Sequence, residues 1–186
     1  MEFIEQGNVK NDKYDFIFKF MILGLSDVGK TLILNRIVSY NNYSKFIQLK
    51  KETVPTIGLD FKDLTIKYKN KLILIGLRDP SGAVPFDFLI SSYYIGRDVF
   101  LLCYDAYNRD SFNYIKKKYF EIKNGNNDAV YALIRNKYDK KINKDNKDIV
   151  SDEEALQFVD NNNFIFAHIS CMEKYETWIK KLFEFI

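Results

Sequence analysis

The 186-residue sequence has two cysteines, one histidine and no long apolar run, and each shortage removes a class of function. Cys103 and Cys171 stand far apart, each beside apolar residues, and read as two reduced thiols rather than a disulfide framework. His168, the lone histidine, lies in an apolar strand pattern, and no Cys/His cluster has the spacing of a metal centre. Ser170 has no histidine and acid that suggest a nucleophilic triad. No stretch approaches the ~18 apolar residues of a spanning helix. The segment from Met1 to Lys10 carries Glu2 and Glu5 and does not read as a signal peptide. Charge of one sign is scarce too: 28 Lys and Arg against 25 Asp and Glu leave +3, too little for nucleic-acid binding through bulk charge. The expectation is a cytoplasmic protein.

What is present suits an ordered domain. Hydrophobic residues make up 47% and charged residues 28%, which argues against disorder. Aromatics at 16% supply a sizeable core. No Pro/Gly/Ser linker or internal repeat divides the chain, so one domain over residues 16–186, preceded by an N-terminal extension over residues 1–15, is expected. Short apolar runs read as strands: Phe16 to Leu23, Leu59 to Tyr68 and Lys71 to Leu77 around a Lys69-Asn70 turn, Val99 to Tyr104, Ala129 to Ile134, and Phe164 to Ile169. Helix patterns run from Thr31 to about Ser39, from the capping box at Ser151 to about Asp160, and from Glu173 to Ile186 with Trp178 facing inward. The polar stretch from Asn41 to Glu52 reads as a long loop, and Lys116 to Lys118 and Lys137 to Lys147 as solvated surface. Strands and helices in this alternation predict an α/β fold with a mostly parallel sheet and helices on both faces.

Gly24-Leu25-Ser26-Asp27-Val28-Gly29-Lys30-Thr31 matches G-x-x-x-x-G-K-[ST] between a strand and a helix. A polyphosphate needs converging donors without steric bulk, which loop N–H groups and a helix N-terminus supply. Asp27, Val28, Gly29, Lys30, Thr31 and Leu32 are therefore the candidate phosphate-binding residues, with Lys30 adding charge between the β- and γ-phosphates and Thr31 a hydroxyl for Mg²⁺. Asp27 is anomalous. Its carboxylate either repels the phosphates and weakens nucleotide retention, or points to solvent in a left-handed backbone that Asp tolerates. Asn136-Lys137-Tyr138-Asp139 follows an apolar run, at the sheet edge where doubly wound folds bind ligands. An Asp there accepts two hydrogen bonds from guanine, and adenine presents the opposite pattern.

With these motifs the sequence resembles the Ras superfamily of small GTPases, and within it the Rab family, from about Phe16 to Ile186. Thr56-Ile57-Gly58-Leu59-Asp60-Phe61 is similar to the Rab switch I signature, and Ser91-Ser92-Tyr93-Tyr94-Ile95-Gly96 to the segment after switch II. Tyr104-Asp105 with Asn108-Arg109-Asp110-Ser111-Phe112 is similar to the family's strand–helix junction. The resemblance implies a Ras-like P-loop G domain with a six-stranded sheet, one strand antiparallel. It implies GTP and GDP as ligands, Mg²⁺ as cofactor, and effector and exchange-factor proteins that bind switch I and switch II in vesicle traffic. Carried over, Thr56 completes the metal shell, Asp79 holds a metal-bound water, and the Gly82 N–H senses the γ-phosphate. Lys30, Thr56 and Gly82 then form the catalytic set. Asn136, Lys137 and Asp139, with Ser170, Cys171 and Met172 in the guanine loop, hold the base.

Several positions depart from the family. Ala83 stands where the family has the Gln that orients the attacking water, which implies impaired hydrolysis unless another residue positions that water. Arg78 replaces an aromatic before Asp79, and Ala83-Val84-Pro85 a polar stretch, on the surface where Rab effectors bind. Met172 replaces a Lys, and Arg135 a small residue before Asn136. The aromatic that stacks on guanine is Tyr43 or Phe46. The chain ends at Phe185-Ile186 with no C-terminal Cys for a prenyl group, so a missing tail, a further domain and unprenylated action all stay open, as does peripheral attachment to vesicles through partners. Two functions remain: a switch with slow hydrolysis, and a pseudo-GTPase scaffold that signals without turnover. A P-loop ATPase or metabolite kinase is disfavoured by Asp139 and by the absence of a substrate lid.

Overall fold

The apolar runs of the sequence line up as strands of one twisted sheet. The computed structural model describes residues 2–4, 14–39, 50, 54–82, 90–137 and 148–169. Along the chain they form β1 (Glu2–Ile4), β2 (Phe16–Leu23), α1 (Lys30–Val38), β3 (Leu59–Tyr68), β4 (Lys71–Pro80), β5 (Val99–Asp105), α2 (Arg109–Ile122), β6 (Val130–Asn136), α3 (Asp152–Asn162) and β7 (Ile165–His168). The strand order is β1-β3-β4-β2-β5-β6-β7. Strands β4, β2, β5, β6 and β7 run parallel, and β3 is antiparallel to both β4 and β1. The six expected strands are all there, and Glu2–Ile4, inside the segment read as a bare extension, adds a seventh at the β3 edge. Three residues carry too little pattern to announce a strand, and pairing with β3 is what makes them one.

Local chemistry explains the main turns and ends. Lys69 and Asn70 both take positive φ, 47° and 62°, as a two-residue hairpin requires, so β3 and β4 pair in register from Tyr68↔Lys71 to Leu59↔Pro80. Strand β4 thus runs three residues beyond its expected end and delivers Asp79 to the sheet edge. The N-caps of α2 and α3 are Asn108 and Ser151, whose side chains accept from the backbone N–H of Ser111 and Glu154. The central strand β5 is buried along its whole length, as its unbroken apolar run requires.

Alternation along the strands builds two cores. Phe20, Ile22, Ile75, Leu77, Leu101 and Cys103 pack with Ile33, Leu34 and Ile37 of α1 on one face. Met21, Leu23, Phe100 and Leu102 pack with Phe112 and Ile115 of α2 and Ala155 and Val159 of α3 on the other. Cys103 is a buried thiol in the first core. The expectation of a solvated Lys116 to Lys118 is corrected at one position. Lys118 is buried, its Nζ 2.7 Å from Glu121 and 5.4 and 5.8 Å from the ring centroids of Tyr114 and Tyr94. The Lys stem lies along apolar surface while aromatic faces and a carboxylate hold the head, an arrangement no charge run reveals. The loop read from Asn41 to Glu52 falls outside the described residues except at Lys50, as does the closing helix from Glu173 with Trp178.

Candidate functional site

Strand β2 ends at Leu23, and the chain turns through the glycine-bearing loop into α1. Gly29 is the N-cap residue with φ 95°, a left-handed conformation that a side chain would strain. Unlike α2 and α3, α1 has no side-chain cap, and its first turn carries no acidic residue. Its first-turn N–H groups and the positive end of its dipole are left for an anion.

The loop is braced from β4. Ser26 N–H donates to Gly82 O at 3.0 Å, and Ser81 N–H to Gly58 O at 2.7 Å. A Cβ at Gly82 would lie 2.4 Å from both Lys30 Nζ and Ser26 N, so only glycine fits against the loop there. Lys30 is buried, and its Nζ donates to Leu25 O at 3.0 Å. Thr31 Oγ1 lies 2.9 Å from Thr56 Oγ1 and hydrogen-bonds to Asp79 Oδ2, which is also 3.5 Å from Thr56 Oγ1. Ser26, Lys30, Thr31, Thr56 and Gly82 line a cleft of about 430 Å³ bordered also by Asp27, Leu32, Lys50, Val54 and Pro55, with Asp79 buried against Thr31. Five residues picked from sequence for phosphate and metal work, Lys30, Thr31, Thr56, Asp79 and Gly82, therefore meet at one place.

Asp79 tests whether that place suits Mg²⁺. Its side chain is fully buried, and Oδ1 has no hydrogen-bond partner. Burial holds its carboxyl above the usual carboxylate range, against the Thr31 hydrogen bond and the charge of Lys30, with Asp60 opposite it in register adding to the rise. A buried carboxylate with an orphaned oxygen, flanked by two hydroxyls, is a hard-oxygen donor set short of one cation, and the fit to Mg²⁺ is good.

The region around Asn136, expected from the sequence to meet the base, is assembled differently. Asn136 Nδ2 donates to Val28 O at 2.7 Å, and a Cβ at Gly29 would lie 2.4 Å from the same Nδ2. The Asn136 amide is thus a strut from β6 to the phosphate loop. Lys137, at φ 63°, places Nζ 2.8 Å from Asp105 Oδ2 and 3.7 Å from Asp27 Oδ2. Asp27 itself has φ 63° and a fully exposed side chain, the outward-pointing alternative of the two read from sequence. Asp139, Ser170, Cys171, Met172, Ala83, Tyr43 and Phe46 lie outside the described residues.

Sequence reasoning missed two arginines. Arg135 had drawn notice only as an unusual neighbour of Asn136. It is buried, donates from Nη2 to Val150 O at 3.1 Å and pairs with Asp152. Arg109 donates from Nη2 to Ile149 O at 2.7 Å and grips Glu154 with Nη1 at 2.8 and 3.1 Å. Together they pin residues 149–154, where the chain returns from the segment carrying Asp139. Bonds spanning 15 to 45 residues leave no local pattern, and Arg beside Asn was the single available sign.

Sheet order and loop define the class first: a doubly wound α/β protein with a phosphate-binding loop at the carboxyl ends of its parallel strands. Comparison with known proteins narrows it. The model of the Ras family matches residues 19–186. GTP-binding protein YPTM2 of Zea mays is 33% identical over 161 residues, covering 86% of this chain and 74% of the relative. Ras-related protein Rab-11B of Dictyostelium discoideum is 33% identical over 182 residues, covering 96% and 77%. Ras-related protein Rab-3A of Homo sapiens is 31% identical over 180 residues, covering 96% and 76%. The chain belongs to the Ras family, as a Rab-like small GTPase of that superfamily.

Proposed function

We propose that the protein is a guanine-nucleotide switch of Rab type, acting in vesicle traffic with slow intrinsic GTP hydrolysis. The observation that carries this reading is the meeting of Thr31, Thr56 and Asp79 beside Lys30, because three separate segments converge on one cleft. In it Lys30 brings positive charge to the β- and γ-phosphates, and the backbone of Asp27, Val28 and Gly29 with the start of α1, from Lys30 through Leu32, cradles them. The Thr31 and Thr56 hydroxyls and the Asp79 carboxylate would hold Mg²⁺, which would supply charge neutralisation at those phosphates. Thr56 and the Gly82 N–H sense the γ-phosphate, so its loss releases both segments and changes the surface offered to effectors and exchange factors. Asn136, Lys137 and Asp139, with Ser170, Cys171 and Met172, hold guanine. Among the described residues no helix is long and apolar enough to cross a membrane, and the reading is peripheral attachment to vesicles through partners or a tail.

Slow hydrolysis follows from Ala83, whose methyl group offers a water no hydrogen bond. Ras-type enzymes with the Gln hydrolyse at only about 10⁻⁴ s⁻¹ unaided. At that rate a turnover already takes about three hours, and each further tenfold loss adds about 1.4 kcal/mol of barrier and lengthens it tenfold. The fully exposed carboxylate of Asp27 favours a modest weakening of nucleotide retention over a severe one.

Identification of the nucleotide released from purified protein, followed by single-turnover hydrolysis, tests the proposal. Bound GDP or GTP, hydrolysis slower than in Gln-bearing relatives, and acceleration by Ala83→Gln are expected. Protein that cannot be loaded points to the pseudo-GTPase scaffold. Fast unassisted hydrolysis overturns the reading of Ala83, and ATP competing as well as GTP overturns the reading of Asp139.

A further inference from the structure

In the β3–β4 register Asp60 stands directly opposite Asp79. Residues paired across an antiparallel ladder point to the same face, with Cβ atoms about 5 Å apart. That face is the one turned to α1. Leu64 and Ile66 further along β3, and Ile75 and Leu77 along β4, pack there with Ile33, Leu34 and Ile37. The Thr31 hydroxyl, at the start of α1, bonds to Asp79 from the same side. Two carboxylates therefore share one corner of the fold, and like charges directly opposite repel. Asp79 is the fully buried one, and its Oδ1 has no hydrogen-bond partner.

Asp60 has partners of its own. Its Oδ1 accepts from the Phe61 N–H at 2.8 Å, and its Oδ2 lies 2.9 Å from Lys62 Nζ. Lys62 is on the same face but opposite Leu77, and so about 7 Å further along the strand. Burial raises the Asp79 carboxyl most; the charge of Asp60 adds to that rise, and the charge of Lys62 opposes it. One anion and one cation thus act on the same buried carboxylate with opposite signs.

We propose that Asp60 and Lys62 set, with opposite signs, how firmly a divalent cation is held at Thr31, Thr56 and Asp79. The inference rests on the reading of that corner as the Mg²⁺ site of a nucleotide switch. Asp60 acts through space and is not itself a ligand. It repels Asp79 in every state, but a bound cation is attracted by both carboxylates, so the Asp60 charge is expressed as retention of the cation. Lys62 does the reverse: it repels the cation and takes up part of the Asp60 charge. The Asp60 side chain is 44% exposed and the Lys62 side chain 23%, so water screens both charges and each effect is modest. Asp60, directly opposite Asp79, has the larger one.

The test uses the full chain loaded with a fluorescent GDP. Mg²⁺ is titrated in while release of the probe is followed, and Mn²⁺ is titrated separately with its free fraction read by paramagnetic resonance. Asp60→Asn keeps an acceptor for the Phe61 N–H and removes the charge. It should raise the half-saturating Mg²⁺ and Mn²⁺ concentrations by about fivefold. Lys62→Gln should lower both by about threefold, and the double variant should fall between the two single ones. Asp60→Glu, which keeps the charge, should stay near the unsubstituted chain. Unchanged metal affinity in Asp60→Asn overturns the proposal. So does a shift in the same direction in both single variants, the mark of a structural role. Should Asp60→Asn fail to fold, the sign of the Lys62→Gln shift decides. An unsubstituted chain that does not bind the probe sinks the switch reading instead. A chain that binds it, with a metal response indifferent to both charges, sinks this inference alone.

Discussion

The regions proposed for the phosphates and for the base are held by different means. At the phosphate end, beside the Thr31, Thr56 and Asp79 side chains, backbone meets backbone: Ser26 N–H bonds Gly82 O and Ser81 N–H bonds Gly58 O, with Gly29 and Gly82 where a Cβ would collide. At the base end, long side chains bridge distant segments: Asn136 to Val28, Lys137 to Asp105, Arg135 to Val150 and Asp152, and Arg109 to Ile149 and Glu154. A backbone-built end tolerates change at few positions and fails abruptly when Cβ atoms are added. An end built of struts should weaken in steps as each strut is cut.

The sharpest challenge to that contrast is Gly29→Ala, because Gly29 touches both ends. The new Cβ strains a left-handed backbone and collides with the Asn136 amide. Unfolding stability should fall by about 2 kcal/mol or more, and guanosine affinity by roughly a hundredfold, read by urea denaturation and probe displacement. Preserved guanosine affinity would show that the ends are not joined there. Next, Arg135→Ala removes one of the two holds on residues 149–154. It should cost about 2–3 kcal/mol in urea unfolding. It should also weaken GDP binding more than inorganic triphosphate binding; equal weakening would mean that the clamp does not act through the base end.

Asn136→Ala cuts the strut and leaves Val28 O without that buried donor, a loss of about 1–2 kcal/mol. Stopped-flow release should show faster nucleotide loss while Lys30 and Thr31 remain in position. Asp27→Gly is expected to have the smallest effect, slowing nucleotide release by about threefold, since an exposed carboxylate is screened. An unchanged rate would mean that its charge never reaches the phosphates.

Legibility follows the same divide. The phosphate loop could be read because its chemistry is local: eight consecutive residues specify turn, donors, lysine and hydroxyl together. The Lys69-Asn70 hairpin was equally readable, and its register carried Asp79 to the site. Asn136 was recognisable by its neighbours, but its role as a strut to Val28, 108 residues away, was not. Lys118 was misjudged for the same reason, since Tyr94 reaches it only once α2 has docked. The strand Glu2–Ile4 had no signal until β3 offered an edge.

By itself the sequence determined the strand and helix alternation and the glycine-bearing loop between β2 and α1, because periodicity, glycine and short spacing are properties of neighbours along a chain. Only the tertiary structure decided that Thr56 and Asp79 stand beside Thr31, that two arginines hold residues 149–154, and that Asp27 points to water. Those outcomes depend on which distant surfaces pack together, and packing is settled by the burial of two cores at once rather than by any one stretch of residues.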